Sequence, residues 1–257
     1  MQIATWNVNS IRSRITHVTQ WLQDHPVDVL CLQETKVIDP DFPLQPLAAL
    51  GYHIYISGQK AYNGVAILSR KPLESCTTGF AAILGKTDLD AQKRVITGIV
   101  DGVRIVNLYV PNGSTVGSDK YYYKLEWLQT LKEYLATILP TPMVICGDFN
   151  IALEDRDIYK QPDNHDNLIM ASPKERQALQ EIIQLGLADA FRKFTPDGGH
   201  FSWWDYRTGA FHRNRGWRID HHYLTAELYQ QATSCIIDTT PRKLEKPSDH
   251  APVILTL

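Results

Sequence analysis

Carboxylate and amide side chains stand at the ends of several apolar segments, where a purely structural chain would more often place Gly, Ser or Lys. The residues that follow such segments are Asn7, Glu34, Asn112, Asp148 and Asn150. Ligands of α/β proteins bind beyond the carboxyl ends of the strands, so these groups can converge on one site. Each residue taken singly fits a turn or a helix cap at least as well. Four segments that end in this way nevertheless favour a shared site.

Such a site predicts a bound cation. Its members would be Asn7, Glu34, Asp148, Asn150 and Asp249. Like charges brought together cannot all stay ionised without a cation, and the ligand atoms would all be oxygens. This set suits Mg²⁺ or Mn²⁺ rather than zinc, for which thiolates or paired histidines would be expected. Because Mg²⁺ keeps most of its positions for water and substrate phosphate, the set indicates phosphoryl chemistry.

A histidine near the end of the chain has a carboxylate as a candidate partner. His250 lies in the sequence SDHAP at 248–252, directly before the last predicted strand, and Asp220 stands at the start of another strand. A lone histidine in a turn is more often structural than catalytic. An Asp–His pair, however, would orient the imidazole and raise its pKa. The cationic ring would then stabilise the charge that develops on a phosphate oxygen in the transition state.

The segment 195–218 combines aromatic rings with guanidinium groups. It holds four arginines and half of the six tryptophans, Trp203, Trp204 and Trp217. Rings stack on bases and arginines bind phosphates, so nucleic acid is the expected partner. The alternative is a loop that covers the core with its Trp rings facing inward. Three further basic residues are ordinary surface charges when taken alone: Arg94, Lys120 and Lys124.

The elements that must position these residues alternate along the chain, with no linker and no repeat of fixed period, which predicts one domain over residues 1–257. The apolar runs predicted as strands are 3–6, 27–32, 52–56, 64–68, 95–100, 104–110, 143–146, 219–224, 232–237 and 253–257. Helices are predicted over 11–22 and 121–138, and after a capping box at Ser172 with Gly186 as the C-terminal cap. Several strands are apolar on both faces, which is typical of a layered α/β protein. Segments 151–171 and 195–218 are too long for ordinary connections and are either functional or disordered.

The composition excludes several classes of protein. No apolar run approaches the roughly 20 residues of a membrane-spanning helix, and no secretory signal opens the chain, so a cytoplasmic protein without a membrane partner is expected. The four cysteines are far apart and form no CxxC pair, which argues against zinc and against disulfides. GxxxxGK[ST], GxGxxG and GxSxG are missing, so NTPases, dinucleotide enzymes and serine hydrolases lack their usual motifs.

Seven ordered motifs resemble the exonuclease III family of apurinic/apyrimidinic endonucleases over residues 3–257. They are TWNVNSIR at 5–12, LQETK at 32–36, GQK at 58–60 with NGVAI at 63–67, GDFN at 147–150, WWDYR at 203–207, RGWRID at 215–220 and SDHAP at 248–252. GDxN or SDHxP alone would indicate only the wider endonuclease/exonuclease/phosphatase superfamily. The resemblance implies an α/β fold, a four-layer α/β sandwich with two mixed β-sheets packed face to face and helices on the outside.

The resemblance also implies catalytic roles for five residues. Asp148 would activate the attacking water as general base, and Asn150 would hold the scissile phosphate. Tyr109 would contact the phosphate or assist the leaving group. His250 would bind the phosphate, and Asp220 would orient the histidine.

The remaining implied roles concern the cation and the DNA. The metal region would contain Glu34 as the main ligand, with Asn7 and Asp249. The DNA contacts would be Arg94, Asn112, Lys120, Trp203, Trp204 and Arg215. Mg²⁺ is the implied cofactor, and Mn²⁺ would be able to substitute for it.

The implied reaction is in-line, metal-assisted hydrolysis of a phosphodiester by water, which leaves a 3′-hydroxyl. It would combine abasic-site incision with 3′-to-5′ exonuclease and 3′-phosphatase or phosphodiesterase activity. The expected partner is double-stranded DNA with abasic sites or blocked 3′ ends, and the expected enzyme is a monomer. The net charge of −2 does not oppose this, because residues 148–166 carry −4 and residues 192–218 carry +4.

Two places depart from the family pattern. The acidic segment 151–171 matches no family motif and follows the GDFN motif, so it is expected to influence which DNA is accepted. The tandem Trp203-Trp204 is bulkier than expected, and a bulkier abasic pocket would favour a family member restricted to 3′-end processing. A lipid or inositol phosphodiesterase of the superfamily would lack the WWDYR and RGWRID motifs. A non-catalytic DNA-binding module would have no reason to retain the acids together with His250.

Overall fold

Two six-stranded sheets form the centre of the protein. The computed structural model describes residues 1–85, 87–160 and 166–257. The strands are β1 (Gln2–Asn7), β2 (Val29–Gln33), β3 (His53–Ser57), β4 (Val65–Ser69), β5 (Ser75–Thr78), β6 (Val95–Val100), β7 (Val103–Tyr109), β8 (Met143–Asp148), β9 (Leu187–Asp189), β10 (Asp220–Thr225), β11 (Ser234–Ile237) and β12 (Val253–Thr256). The first sheet has the order β11-β12-β1-β2-β4-β3, and the second has the order β5-β6-β7-β8-β10-β9.

The two sheets share one pairing pattern. In each, a single parallel pair lies at the centre, β1 with β2 and β7 with β8, and every other neighbouring pair is antiparallel. A helix connects the two strands of each parallel pair, as parallel strands require. The carboxyl ends of four central strands therefore reach the same end of the sandwich.

Helices flank both sheets: most lie on the outer faces, and the last two in the chain pack their buried side chains into the core between the sheets. They are α1 (Ile11–Asp24), α2 (Leu44–Ala48), α3 (Ala81–Leu84), α4 (Asp119–Ile138), α5 (Pro173–Ile183), α6 (Ala190–Phe194) and α7 (Ala226–Gln231). Alternate strand residues face opposite layers: Cys31 and Val144 pack between the sheets, while Leu32 packs toward α1 and Ile145 toward α4. This double burial accounts for the continuous apolar runs. The predicted four-layer sandwich is confirmed.

The sequence missed the weakest elements. Strand β5 reads Ser-Cys-Thr-Thr, is fully exposed and lies at a sheet edge, so it has no hydrophobic signal. Strand β9 has only three residues. Helix α5, in contrast, begins where its sequence predicts, because Ser172 and Glu175 form the reciprocal capping box. No helix among the described residues is long and apolar enough to cross a membrane.

A buried arginine anchors the two long segments to the second sheet. Arg218 donates hydrogen bonds to Asp157 at 2.7 Å and to Asp189 at 2.8 Å. Burial would raise the pKa of Asp157, but the guanidinium outweighs it and lowers that pKa to about 2. Arg218 also donates to His221 Nδ1, so the Nε2–H of this histidine donates to the carbonyl of Ile151. The pKa of the buried His221 is lowered to about 4.

The long segments also pair with each other beside the end of the sandwich. Isolated antiparallel bridges join Ile158 to Trp217, and join Trp203 both to Trp217 and to His250. These bridges bring part of the acidic segment and the aromatic segment together next to the last strand. Residues 161–165, within the acidic segment 151–171, lie outside the described residues.

Candidate active site

The polar residues at the strand ends form one cluster. Asn7 ends β1, Glu34 follows β2, Tyr109 ends β7 and Asp148 ends β8. Strand register places both Tyr109 and Asp220 directly opposite Asp148 in the second sheet. The cluster therefore collects side chains from both sheets. The sequence predicted that Asn7, Glu34 and Asp148 would converge, from their positions after apolar segments.

The amide of Asn7 joins two carboxylates that come from different sheets. Its Nδ2 donates to Glu34 Oε1 at 2.8 Å and to Asp148 Oδ2 at 2.9 Å. Its Oδ1 accepts a hydrogen bond from the backbone N–H of Asn9 at 3.0 Å, so the amide oxygen faces away from the carboxylates. In this arrangement Asn7 orients the two carboxylates and does not offer a bound cation a third oxygen ligand.

Asp148 is held by a tight turn at the end of β8. Its Oδ1 accepts from the backbone N–H of Asn150 at 2.8 Å, and its Oδ2 accepts from the Asn150 side chain at 3.2 Å. A Cβ at Gly147 would lie 2.0 Å from the carbonyl oxygen of Leu108, so only glycine fits before the aspartate. Asn112 in turn donates to Asn150 Oδ1 at 3.0 Å. The two amides and the carboxylate thus form one connected network.

His250 is fixed by a second carboxylate. Its Nδ1 donates to Asp220, with the two carboxylate oxygens at 2.9 and 3.1 Å, and Ser202 donates to Asp220 Oδ2 at 2.6 Å. The opposite ring nitrogen, Nε2, lies 3.7 Å from Asp148 Oδ2. Burial lowers the pKa of His250, but Asp220 and then Asp148 outweigh it and raise the pKa to about 10. The ring is therefore a cation at neutral pH.

Burial raises the pKa of Asp148 to about 7, although the positive charge of His250 opposes the rise. Burial also raises the pKa of Tyr109 well above its usual value, and the negative charges of Glu34 and Asp148 add to this effect. The guanidinium of Arg94 lies 4.6 Å from the centre of the Tyr109 ring. Because its pKa is raised, the Tyr109 phenol is neutral and has a hydrogen to donate.

The donor set fits a hard divalent cation. Glu34, Asp148 and His250 each offer a ligand atom, and these atoms lie within 4.8 Å of one another. A protonated imidazole cannot bind a metal, so the ligands would be the two carboxylates, as Mg²⁺ prefers. Asp249, expected in the metal region, directs its two oxygens to hydrogen bonds from Asn9 and Trp203, each at 3.0 Å.

Lys36 belongs to this site, although the sequence analysis assigned it no role. Its Nζ lies 2.7 Å from Glu34 Oε2 and donates to Asn9 Oδ1 at 2.6 Å. Both Glu34 and Lys36 have left-handed backbone conformations, with φ of 51° and 54°. The signal was the position of this lysine inside the LQETK motif, two residues after the acid.

A basic cavity of about 650 Å³ opens beside the cluster. Arg94, Asn112 and Lys120 line it, so three of the expected DNA contacts share one surface. Tyr62, which the sequence analysis did not select, also lines it and is 70% exposed. An exposed aromatic ring beside basic residues is suited to contact with a nucleic acid.

A second cavity, of about 440 Å³, also adjoins the cluster, because Trp203 in its lining donates to Asp249 and bridges His250. Its lining includes Trp203, Trp217, Met170 and Arg215. Trp204 does not contribute: the residue is only 2% exposed, and its ring packs edge-on against another aromatic residue of the segment. The expectation that Trp204 contacts DNA is therefore wrong, and the tandem tryptophans do not narrow this cavity as expected.

Comparisons with known proteins agree on the family. A model of the "Endonuclease/Exonuclease/phosphatase family" matches residues 4–250. Exodeoxyribonuclease III from Haemophilus influenzae is 34% identical over 266 residues, which cover 98% of each chain. An AP endonuclease from Archaeoglobus fulgidus has 38% identity and a TM-score of 0.95, over 100% of this chain and 99% of that one. A 3′ phosphatase from Neisseria, bound to a product DNA hairpin, has 39% identity, a TM-score of 0.94 and the same coverage.

Proposed function

The chain belongs to the endonuclease/exonuclease/phosphatase family, and from this premise we propose that it incises double-stranded DNA at abasic sites and processes blocked 3′ ends, with Mg²⁺ as its cation. The protein is a metal-dependent DNA repair nuclease, a phosphodiester hydrolase of the exodeoxyribonuclease III type. The choice of lesion, the choice of cation and the roles of single residues are the proposal.

Two cavities adjoin the cluster, one through Asn112 and the other through Trp203, and this adjacency carries the proposal. The basic cavity, with Arg94 and Lys120, suits a phosphate backbone, since guanidinium and ammonium groups bind phosphates. The second cavity, where the rings of Trp203 and Trp217 lie, suits a sugar that has lost its base. Asn112 joins the two, because its amide contacts the sulfur of Met170 at 3.5 Å. A DNA strand whose phosphates lie in the basic cavity and at the cluster would place an abasic nucleotide at the second cavity.

The cation would be held by Glu34 and Asp148, while Asn7 keeps these two acids oriented. When bound, Mg²⁺ supplies a Lewis acid that stabilises negative charge on the phosphate. Asp148 accepts the proton of the attacking water. The hydrolysed bond leaves a 3′-hydroxyl on one product and a 5′-phosphoryl group on the other.

The phosphate would be held by donors on three sides. The cationic His250 donates to its oxygens, where charge develops in the transition state. Asn150 would donate as well by exchanging one of its two amide hydrogen bonds, to the Val110 carbonyl or to Asp148 Oδ2, for the phosphate. Asp220 keeps His250 protonated and in place. Tyr109 supplies a neutral phenol beside the same group.

Two duplex oligonucleotides test the proposal, one with an internal abasic site and one with a 3′-phosphate. Both should be hydrolysed with Mg²⁺, more slowly with Mn²⁺, and neither with EDTA. Hydrolysis of the 3′-phosphate alone would instead support the second candidate, a family member restricted to 3′ ends, which the likeness to the Neisseria 3′ phosphatase favours.

Three other properties remain predictions. Limited proteolysis tests the single-domain organisation, size-exclusion chromatography tests the monomeric state, and cell fractionation tests the cytoplasmic location.

A further inference from the structure

A buried ammonium group lies directly behind the phosphate-binding amides. Lys124, on the first turns of α4, is fully buried, although the sequence analysis treated it as an ordinary surface charge. Its Nζ donates to the carbonyl oxygens of Asn150 at 2.7 Å and Asn112 at 3.2 Å, and to Glu175 Oε1 at 2.5 Å. An ammonium group has three hydrogens, so these three acceptors use its full capacity.

The counter-charge is itself fixed. Glu175 is fully buried in the first turn of α5, where it accepts hydrogen bonds from the backbone N–H groups of Met170 and Ser172 and from the Ser172 hydroxyl. The carboxylate cannot move toward the ammonium without breaking the cap of this helix. Lys124 is therefore held at a defined point between α4, α5 and the ends of β7 and β8.

Stability alone does not account for this arrangement. A buried ion pair gives little net stability compared with well-packed apolar residues of the same volume, because both charges lose their hydration. A second pair, Lys132 with Glu181 at 2.8 Å, also connects α4 to α5, and its side chains are about one-third exposed. That pair contacts neither active-site turn. Lys124 differs because two of its three bonds go to the backbone of residues that bind the phosphate.

We propose that Lys124 is a positioning residue, which sets the places of the Asn112 and Asn150 amides by holding their backbone carbonyls; this inference rests on the proposed function of the two asparagines. The Asn150 backbone is left-handed, with φ of 49°, and its N–H and side chain both contact Asp148. A shift of the Asn150 carbonyl would therefore move the phosphate ligand and the general base together. Displacements of about 1 Å in such a site reduce rates by about 10²-fold.

The test compares five variants with the wild-type protein. Lys124→Met removes the donors, and Lys124→Met with Glu175→Gln removes them without leaving an unpaired charge. Lys132→Met with Glu181→Gln is the matched control, since it removes the other α4–α5 pair. Lys124→Met with Asn150→Ala, read against Asn150→Ala alone, tests whether the lysine acts through the asparagine. Circular dichroism measures the folded fraction of each protein.

Two quantities are measured on the abasic duplex and on the 3′-phosphate duplex. Single-turnover rates with Mg²⁺ should fall about 10- to 100-fold in both Lys124 variants. Kd for DNA in EDTA should stay within about threefold, because Arg94 and Lys120, which supply the positive charge of the basic cavity, are retained. The control should keep its rate within about twofold. Lys124→Met should cost clearly less in the Asn150→Ala background than in the wild-type background, because the part of its effect that passes through the Asn150 amide is already lost.

Three results would overturn the proposal. One is a folded Lys124 variant with a rate near that of wild type. Another is a loss that disappears when rates are expressed per folded molecule, and the third is a full multiplicative loss in the Asn150→Ala background. Failure of the proposed function is a different observation, because the wild-type protein would then leave the abasic duplex intact. The Lys124 ratios are in that case read from the 3′-phosphate duplex.

Discussion

Replacing Asp220 with Asn removes the main carboxylate that keeps His250 charged while preserving the size of the side chain. Burial lowers the pKa of the wild-type ring, but Asp220 and Asp148 outweigh burial and raise it from 6.5 to about 10. At about 1.4 kcal/mol per pH unit, that rise corresponds to roughly 5 kcal/mol in favour of the charged ring. Because Asp220 gives the largest favourable contribution, most of this energy should be lost in the variant.

The pH dependence follows from the sign of this change. A pKa raised in the folded protein means that the charged ring of His250 contributes its full stabilisation below pH 6.5 and loses it only as the pH rises through about 10. In Asp220→Asn the charge of Asp148 still opposes burial, so the ring should titrate near its ordinary value and should be neutral at pH 8. Loss of one such donor from a transition state reduces rates by about 10²- to 10³-fold.

Single-turnover cleavage of an abasic duplex, measured from about pH 5.5 to 9.5, distinguishes this effect from general damage. The rate of the variant should fall between about pH 6 and 8, where the wild-type protein shows no loss from this group. Ser202→Ala is the control, because it removes a hydrogen bond to Asp220 at 2.6 Å but keeps the carboxylate. A variant whose rate is reduced equally at every pH would refute the assignment of a charged His250.

Four further predictions concern the base, the two adjacent tryptophans and the acid stability of the fold. Asp148→Asn should abolish metal-dependent cleavage while DNA binding, measured by fluorescence anisotropy, persists; wild-type rates would remove this residue from the mechanism. Trp204→Ala should lower the free energy of unfolding by about 3–5 kcal/mol in urea titrations, as expected for a buried aromatic residue. Trp203→Ala should instead slow abasic-site incision more than 3′-phosphate removal. Equal losses would contradict the proposal that the second cavity holds the abasic sugar. The pKa values of His221 and His222 are lowered to about 4 by burial, so the unfolded chain binds protons that the folded chain does not between about pH 4 and 6.5. The raised pKa of Asp148 acts in the opposite direction over the same range, so the test uses Asp148→Asn, which lacks that contribution. Urea titrations of this variant should show stability falling as the pH drops, by up to about 3 kcal/mol per histidine, and a flat profile would contradict this account.

The sequence predicted that Asn7, Glu34, Asp148 and Asn150 would meet because each follows an apolar run, and the ends of such runs can be located from local hydrophobicity. The environment of Lys124 depends on a partner far away in the chain, Glu175, so local patterns did not reveal it. A signal was nevertheless present: Tyr121, Lys124 and Leu128 have helical spacing and share the buried face of α4. An ionisable residue in such a stripe is rarely buried unless it is paired, and the partner was not identifiable without the fold.

The adjacent tryptophans illustrate the same limit. Neighbouring residues of an extended segment point to opposite sides, so only one of Trp203 and Trp204 can line a given cavity. Their composition predicts an aromatic, basic segment but not which ring faces the DNA. The choice is made by tertiary pairing, since Trp203 bridges both Trp217 and His250 while Trp204 packs into a small core. Two adjacent tryptophans in the sequence therefore place only one indole ring, that of Trp203, in the second cavity.

The repeated strand pattern explains why one pair of acids can meet at all. Glu34 follows the second strand of the parallel pair in the first sheet, and Asp148 ends the second strand of the equivalent pair in the other sheet. Packing of the sheets through residues such as Cys31 and Val144 brings the two pairs together with their carboxyl ends on one side. The carboxylates are then within reach of a single amide, Asn7, although neither sheet alone contains both acids. The site consequently depends on the packing between the sheets as much as on the strands that carry its residues.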